Sequence, residues 1–316
     1  MNIGGSTLGL LSQVYDIVIT FENSDEEYRI LMKVPGMESL DALKKRSGKT
    51  GILNDSFASE AHMRECAFYR DYAPHLAELP LVDVYVAKEF DGSHGVLLME
   101  SLVQKAAVLP IWDTATESQM FAFAKHLSYL YAHFLCLPPE TWLGKYPRNY
   151  LTYFVTSDFY YLYVDKLCAL KPGMFEEAYR VFRPYMGSKK FYDYTMTDVY
   201  KDIVLCVDGE IRREYEYQVL QFLYDRIGHL VEERGKSVNF SFDQMKQAYQ
   251  VNFIPRALQL MIAPAYLLSN DVALDEEAQI VVARREQFFP RIKLAMEDAL
   301  EYFKQVRKDR IEEKAP

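Results

Sequence analysis

A lysine and a glutamate are placed so that they can bind a phosphorylated ligand together. Lys33 lies near the end of a run of strand-forming residues, and Glu65 lies in a segment with helical character. A strand lysine can hold the phosphates of a nucleotide when a helix glutamate orients its ammonium group. Glu60 is the alternative partner. Solvated lysine–glutamate pairs of this kind are common, so the two residues alone do not decide the function.

Two further segments can contribute backbone groups to a nucleotide site. The glycine-rich start, Gly4–Gly9, precedes the strand that begins at Ser12, and amides in such a loop can approach phosphates. The spacing G-x-G-x-x-G is absent. Met99–Leu102 ends a later strand, where free N–H and C=O groups could bind a nucleobase. A frayed terminus and an ordinary buried strand are the alternative interpretations.

Other phosphate and metal motifs fail on spacing. The tripeptides Gly48–Thr50 and Gly235–Ser237 match the end of a P-loop, but the glycine required earlier in that motif is replaced by Leu43 and Leu230. The six histidines show no metal-binding spacing. We therefore interpret these residues as structural.

In the first hundred residues, several segments rich in strand-forming residues and with alternating apolar side chains predict strands. One hairpin is predicted from Ser12–Phe21 and Tyr28–Val34, with a connection of four to five residues. A helix follows near Phe57–Ala73. A second hairpin is predicted from Leu81–Phe90 and Val96–Met99.

From Pro110 onward, apolar residues recur at the spacing of a helix. Thr116 and Gln119 form a possible capping box. The predicted apolar stripe of the helix that follows consists of Met120, Phe123, Ala124, Leu127, Tyr131, Phe134 and Leu135. Asp208 can cap a later helix, whose predicted stripe consists of Ile211, Tyr215, Val219, Phe222, Leu223, Ile227 and Leu230. Further helices are predicted at Phe175–Phe182 and Glu276–Lys308, the latter bent at Pro290.

These elements predict an α+β fold with two lobes. A small β-rich lobe spans residues 1–103, and a larger helical lobe spans 104–316. Nucleotide would be expected in a cleft between two such lobes.

Composition narrows the function classes. The chain has 316 residues, and 36 basic against 45 acidic side chains give a net charge of −9, which disfavours nucleic acid as a partner. Four scattered cysteines favour reduced thiols over a disulfide framework. The sequence shows neither a secretory signal nor an apolar run long enough to span a bilayer, so we expect a cytoplasmic protein.

In order along the chain, several segments resemble the ecdysteroid-kinase-like (CHK kinase-like) family, which belongs with choline kinases and aminoglycoside phosphotransferases. They are Ser12–Tyr15, Leu31–Pro35, Glu65–Tyr69, Leu97–Glu100, Asp208–Glu214 and Phe240–Met245. The resemblance spans most of the chain and implies a protein-kinase-like fold, with ATP and Mg²⁺ as cofactors and a small hydroxylated molecule as substrate. It also implies that the nucleotide is bound by Lys33, Glu65, Gly9, Ser12, Met99, Glu100 and Leu102.

The chain departs from that family at the catalytic centre. None of the six histidines is followed two residues later by aspartate, so the family's H-G-D loop is absent. The nearest match to its D-x-Q magnesium motif is Phe242–Gln244, in a helical segment. Phosphoryl transfer depends on such carboxylates because metal ions offset the phosphate charge. We therefore predict an impaired kinase-like protein.

The missing part should lie near residues 203/204, and the resemblance leads us to expect a missing N-terminal piece as well. A splice variant, an incorrect gene prediction and a true pseudokinase would each account for this. Two other hypotheses remain open. One is an active kinase that uses Asp198, Asp202 or Asp208 as its carboxylates. The other is a helical interaction module without nucleotide.

Overall fold

The fold is given by a computed structural model, which describes residues 2–8, 12–36, 56–110, 112–145, 158–196, 206–262, 264, 278–307 and 311. The chain divides into two compact units, Met1–Val108 and Leu109–Pro316. The first contains a small antiparallel sheet and the second is mostly helical, which confirms the predicted α+β class.

The N-terminal unit is built on an antiparallel sheet with strand order β1-β2-β3-β5-β4. Its strands are β1 Asn2–Leu8, β2 Ser12–Phe21, β3 Ser24–Pro35, β4 Val84–Lys88 and β5 Val96–Glu100. Both predicted hairpins are confirmed. The first turn is tighter than predicted, because the ladder continues to the pair Phe21 and Ser24 and leaves only Glu22 and Asn23 to connect the strands.

Helix α1, Ser56–Asp71, packs on one face of this sheet. Residues opposite each other in antiparallel strands share a face. The register pairs Leu31 with Met99 and Lys33 with Leu97, so these four side chains lie on the same side. Leu97 and Met99 are buried against Cys66 of α1, with Leu31 beside them. This is therefore the helix-facing side of the sheet, and it includes Lys33.

Every regular element described in the C-terminal unit is helical. The α-helices are α2 Glu117–Cys136, α3 Asp158–Leu170, α4 Glu176–Phe182, α5 Lys189–Thr195, α6 Gly209–Glu232, α7 Phe242–Leu260 and α8 Ala278–Phe303. Pro290 lies inside α8, which is a single helix despite that residue.

Helix α2 begins at the predicted capping box and buries part of its predicted stripe. The Thr116 amide donates to Gln119 Oε1 at 2.8 Å, and the Gln119 amide donates to Thr116 Oγ1 at 3.3 Å. The buried row is Met120, Ala124, Ser128 and Ala132, whereas Phe123, which was predicted to be apolar core, is 37% exposed. Met120 and Ala124 belong to the predicted stripe, and its members Leu127, Tyr131 and Leu135 pack partly buried against the core. The small residues Ser128 and Ala132 are the part of the buried row that the prediction does not include.

Helix α6 buries Val219, Leu223 and Ile227 of its predicted stripe, and its buried face also carries charge that was not predicted. Arg212 and Glu216 are buried there, joined by a 2.9 Å ion pair between Arg212 Nη1 and Glu216 Oε2. Arg212 also pairs with Asp298 of α8. Tyr249 and Tyr302 donate to the two oxygens of Glu216, at 2.7 and 3.1 Å. We call these five residues the Arg212 cluster, and it joins α6, α7 and α8.

Candidate functional site

Lys33 and Glu65 form an ion pair on the helix-facing side of the sheet. The Lys33 ammonium lies 2.5 Å from Glu65 Oε2. The two side chains are 28% and 30% exposed, so the pair is neither sequestered nor fully solvated. A cation held in this way is oriented by its carboxylate and can still be reached by a ligand.

The local sequence explains how the pair is positioned. Lys33 stands opposite Val14 and Leu97 in the ladder, on the face where α1 packs. Glu65 directly precedes the buried Cys66, so the helix position is fixed by core packing. The pKa of Tyr69, one helical turn beyond Glu65, is raised by burial and by the Glu65 carboxylate. Glu60, the alternative partner, lies more than one helical turn earlier.

A second ion pair lies on the same face of the sheet and was missed by the sequence analysis. Asp16 Oδ2 of β2 contacts Arg29 Nη1 of β3 at 2.9 Å. Ser101 Oγ, just after β5, donates to Asp16 Oδ1 at 3.2 Å. Asp16 is two residues beyond Val14 in β2, so it shares the face of Lys33. A polar residue among alternating apolar ones was the available signal, but its partner depends on the strand register.

The predicted nucleobase segment is only partly open to a ligand. Met99 is buried in the core of the unit, and the Glu100 amide donates to the Asp83 carbonyl at 2.8 Å. Glu100 Oε1 accepts a 2.6 Å hydrogen bond from Lys105, which lowers the pKa of that carboxyl. Leu102 is 39% exposed, but its carbonyl already accepts from two amides of the following turn.

The remaining predicted residues are dispersed. Ser12 is buried at the start of β2. Gly9, Asp198, Asp202 and the proposed gap near 203/204 lie outside the described residues. Asp208 stands at the N-cap of α6 but makes no capping hydrogen bond through its side chain. It pairs instead with Arg291, whose Nη2 lies 2.7 Å from Asp208 Oδ1.

Phe242–Gln244, the nearest match to a magnesium motif, is the start of a helix. Ser241 and Gln244 form a capping box at the beginning of α7. Asp243 is 81% exposed at its side chain and pairs with Lys246 at 2.7 Å. These three residues are therefore explained by the start of a helix.

Metal ligands and membrane segments were sought across the part of the chain that the structure describes. No group of three or more His, Cys, Asp and Glu side chains is arranged to hold a metal ion in that part. Within the same residues, no helix is both long and apolar enough to cross a bilayer.

Comparisons with known proteins give limited likenesses. No protein-family model matches the chain. A stretch of 77 residues is 35% identical to an uncharacterized oxidoreductase, dhs-27, of Caenorhabditis elegans. That stretch is 24% of this chain and spans only 9% of the length of the relative. A crystal structure of a protein assigned as an aminoglycoside phosphotransferase from Ralstonia eutropha aligns over 95% of this chain and 92% of its own, at 9% identity and a TM-score of 0.38.

Proposed function

We propose that this chain is a kinase-like protein whose N-terminal unit binds the phosphates of ATP through Lys33 and whose phosphoryl transfer is impaired. The observation that carries the proposal is the 2.5 Å contact between Lys33 and Glu65, made from a sheet to the helix packed on it. Phosphate binding by a lysine depends on an ammonium that is fixed in direction and still accessible. Exposures of 28% and 30% for the two side chains fit that requirement.

The finer assignment to the CHK kinase-like family rests on the order of its segments in the sequence. A small hydroxylated molecule would be the acceptor, and nucleic acid would not be a partner. No disulfide joins the cysteines in the part of the chain that the structure describes, and a cytoplasmic location, where thiols stay reduced, is part of this proposal.

Impairment is proposed because the sequence lacks the H-G-D loop and its only near match to D-x-Q is a helix cap. When bound, Mg²⁺ offsets the charge of the transferring phosphate and needs carboxylate ligands to hold it. The described residues fit the phosphates better than the metal, since Lys33 and Glu65 meet but no acidic cluster accompanies them in the described part of the unit. We therefore assign no catalytic step to the metal.

Calorimetric titration with Mg-ATP tests the nucleotide site. We expect measurable binding by the natural chain and a loss of at least about tenfold in affinity for Lys33→Met, because a charged hydrogen bond to phosphate is removed. Glu65→Gln should weaken binding less. Lys88→Met is the matched control, since Lys88 is also a strand lysine in an ion pair, at 3.3 Å from Asp91. Equal affinities of Lys33→Met and the natural chain would refute the site.

A separate assay of ADP release tests impairment. We expect no ATP turnover above that of the protein-free reaction with a panel of small hydroxylated acceptors. Robust turnover that falls in Asp198→Asn, Asp202→Asn or Asp208→Asn would establish the active alternative instead. Binding and turnover are read independently, so either half of the proposal can fail alone.

A further inference from the structure

A groove of about 520 Å³ opens on the C-terminal unit, between α6, α7 and the residues that follow α8. Three glutamines, Gln247, Gln250 and Gln305, contribute to its lining, together with Tyr217 and Phe242. Its volume falls in the range of small-molecule sites, which is roughly 300–1,000 Å³. None of these residues belongs to the proposed nucleotide site.

The hydrogen bonds beneath the groove form a chain in which the donor of each bond can be assigned. Tyr302 donates to Glu216 Oε1 at 3.1 Å, so its oxygen is the acceptor in the 3.2 Å contact with Tyr217. Tyr217 therefore donates its own proton inward and accepts at 2.9 Å from Gln250 Nε2. This order fixes the amide of Gln250 with its nitrogen toward Tyr217, so the Gln250 carbonyl is the group that it offers to a ligand.

The groove carries no net charge. Its two charged lining residues neutralise each other, since Lys246 Nζ lies 2.7 Å from Asp243 Oδ1. The Lys246 ammonium also lies over the Phe242 ring, 4.9 Å from its centroid, which is a cation–π contact. A charged ligand would have to break this pair, whereas a neutral one would not.

We propose that this groove binds a neutral sugar. Primary amides both donate and accept, which matches adjacent hydroxyl groups that do the same. Phe242 also lines the groove and adds apolar surface beside the amides, although part of its ring is covered by the Lys246 ammonium. Gln250 is held in a single orientation by Tyr217 and the Arg212 cluster, so it can select among hydroxyl geometries rather than only bind water.

Saturation-transfer NMR of the full chain with methyl glycosides tests the proposal. The probes are the methyl glycosides of glucose, galactose, mannose and N-acetylglucosamine, each at millimolar concentration. We expect saturable binding of at least one and a weakening of about tenfold in Gln250→Leu, which loses the oriented carbonyl. Gln247→Ala and Gln305→Ala should each weaken binding severalfold. Both residues are exposed, so these two variants keep the test valid if Gln250→Leu folds poorly.

Gln221→Ala is the matched control. It is a partly exposed glutamine of α6 that donates to Asp225 outside the groove, and its substitution should leave binding unchanged. Sorbitol carries similar hydroxyl groups without a ring. Equal binding of sorbitol and the glycosides, no saturable binding of any glycoside, or equal effects of Gln221→Ala and Gln247→Ala would each overturn the proposal.

Discussion

Two ion-paired groups of this molecule differ sharply in how deeply they are buried. The Lys33–Glu65 pair of the N-terminal unit consists of one contact between side chains that are about a third exposed. In the Arg212 cluster of the C-terminal unit, the side chains of Arg212 and Glu216 are 1% and 4% exposed. Both oxygens of Glu216 accept hydrogen bonds there, and Arg212 also stacks 4.6 Å from the centroid of the Phe253 ring.

The difference separates a pair that can exchange partners from one that cannot. An exposed ion pair contributes little to stability, so a phosphate can replace or join its carboxylate at small cost. A buried charge without its partner is strongly unfavourable, so the Arg212 cluster acts in the fold. Burial raises the pKa of Tyr249 far above its usual range, assisted by the Glu216 carboxylate, so this phenol stays a donor at any physiological pH.

The largest expected effect follows from removing the central carboxylate of the cluster. Glu216→Leu leaves Arg212 buried with Asp298 alone and removes the acceptor of two phenols, so the free energy of unfolding should fall by about 3–5 kcal/mol. Urea denaturation measures it. Glu232→Leu, at an exposed position of the same helix, is the control and should change stability by less than about 0.5 kcal/mol. Similar losses of unfolding free energy for both variants would show that the buried cluster does not stabilise the fold.

The next largest effect on stability is expected where α6 and α8 pack closely together. A Cβ at Gly209 would lie 2.5 Å from Leu294 Cβ, too close for ordinary contact. Gly209→Ala should therefore destabilise the unit by about 1–3 kcal/mol. Gly228→Ala, in the same helix, meets nothing within 4 Å and should stabilise it by about 0.5–1 kcal/mol. Thermal unfolding of both variants would show opposite shifts, and shifts of the same sign would contradict this packing.

A smaller effect is expected for the Lys33–Glu65 pair. A double-mutant cycle with Lys33→Met and Glu65→Gln should give a coupling energy below about 1 kcal/mol. High salt should abolish it, because exposed charges are screened. The corresponding cycle for Arg212 and Glu216 should stay large in the same salt. A coupling of several kcal/mol for Lys33 and Glu65 would assign that pair to the fold rather than to a ligand.

The smallest difference between the units is expected at two thiols, the buried Cys66 and the partly buried Cys168. Burial raises the pKa of Cys66 from 9.0 to about 11, and nearby Glu89 and Glu65 add to the shift. Burial also raises the pKa of Cys168 to about 11. Both thiols stay neutral in the folded and unfolded states below about pH 9, where the stability this gives is complete. It falls as pH rises above 9.0, because only the unfolded thiols ionise there, and it is lost by about pH 11.

Labelling with iodoacetamide near pH 8 should therefore be about a hundredfold slower for these thiols than in strong urea. Mass spectrometry reports each cysteine separately. Labelling of Cys66 at the same rate with and without urea would contradict its burial.

Local patterns predicted much of this structure. Both hairpins, the capping box at Thr116 and the helix that holds Glu65 depend on neighbours in the sequence, and all are present. The burial of Arg212 and Glu216 was not predictable in the same way. Charges four residues apart on a helix usually mark an exposed face, and only the arrival of Tyr249 and Tyr302 from other helices makes their burial favourable.

The candidate site also combines residues that local sequence patterns predict with a contact that they do not predict. Lys33 and Glu65 were found because each stands at a position fixed by its own strand or helix. The pairing of Asp16 with Arg29 depends on the register between two strands, which alternation alone does not fix.

The capping boxes of α2 and α7 also bear on how the chain refolds. Each box closes over three residues, whereas Arg212 and Asp298 are 86 residues apart in the sequence. Because long loops close at a greater entropic cost, we expect the two helix starts to be formed in the folding transition state and the contact between Arg212 and Asp298 to follow it. Thr116→Ala should then slow refolding, while Asp298→Asn should mainly speed unfolding. Stopped-flow rates with the reverse pattern would show that the distant charges meet first.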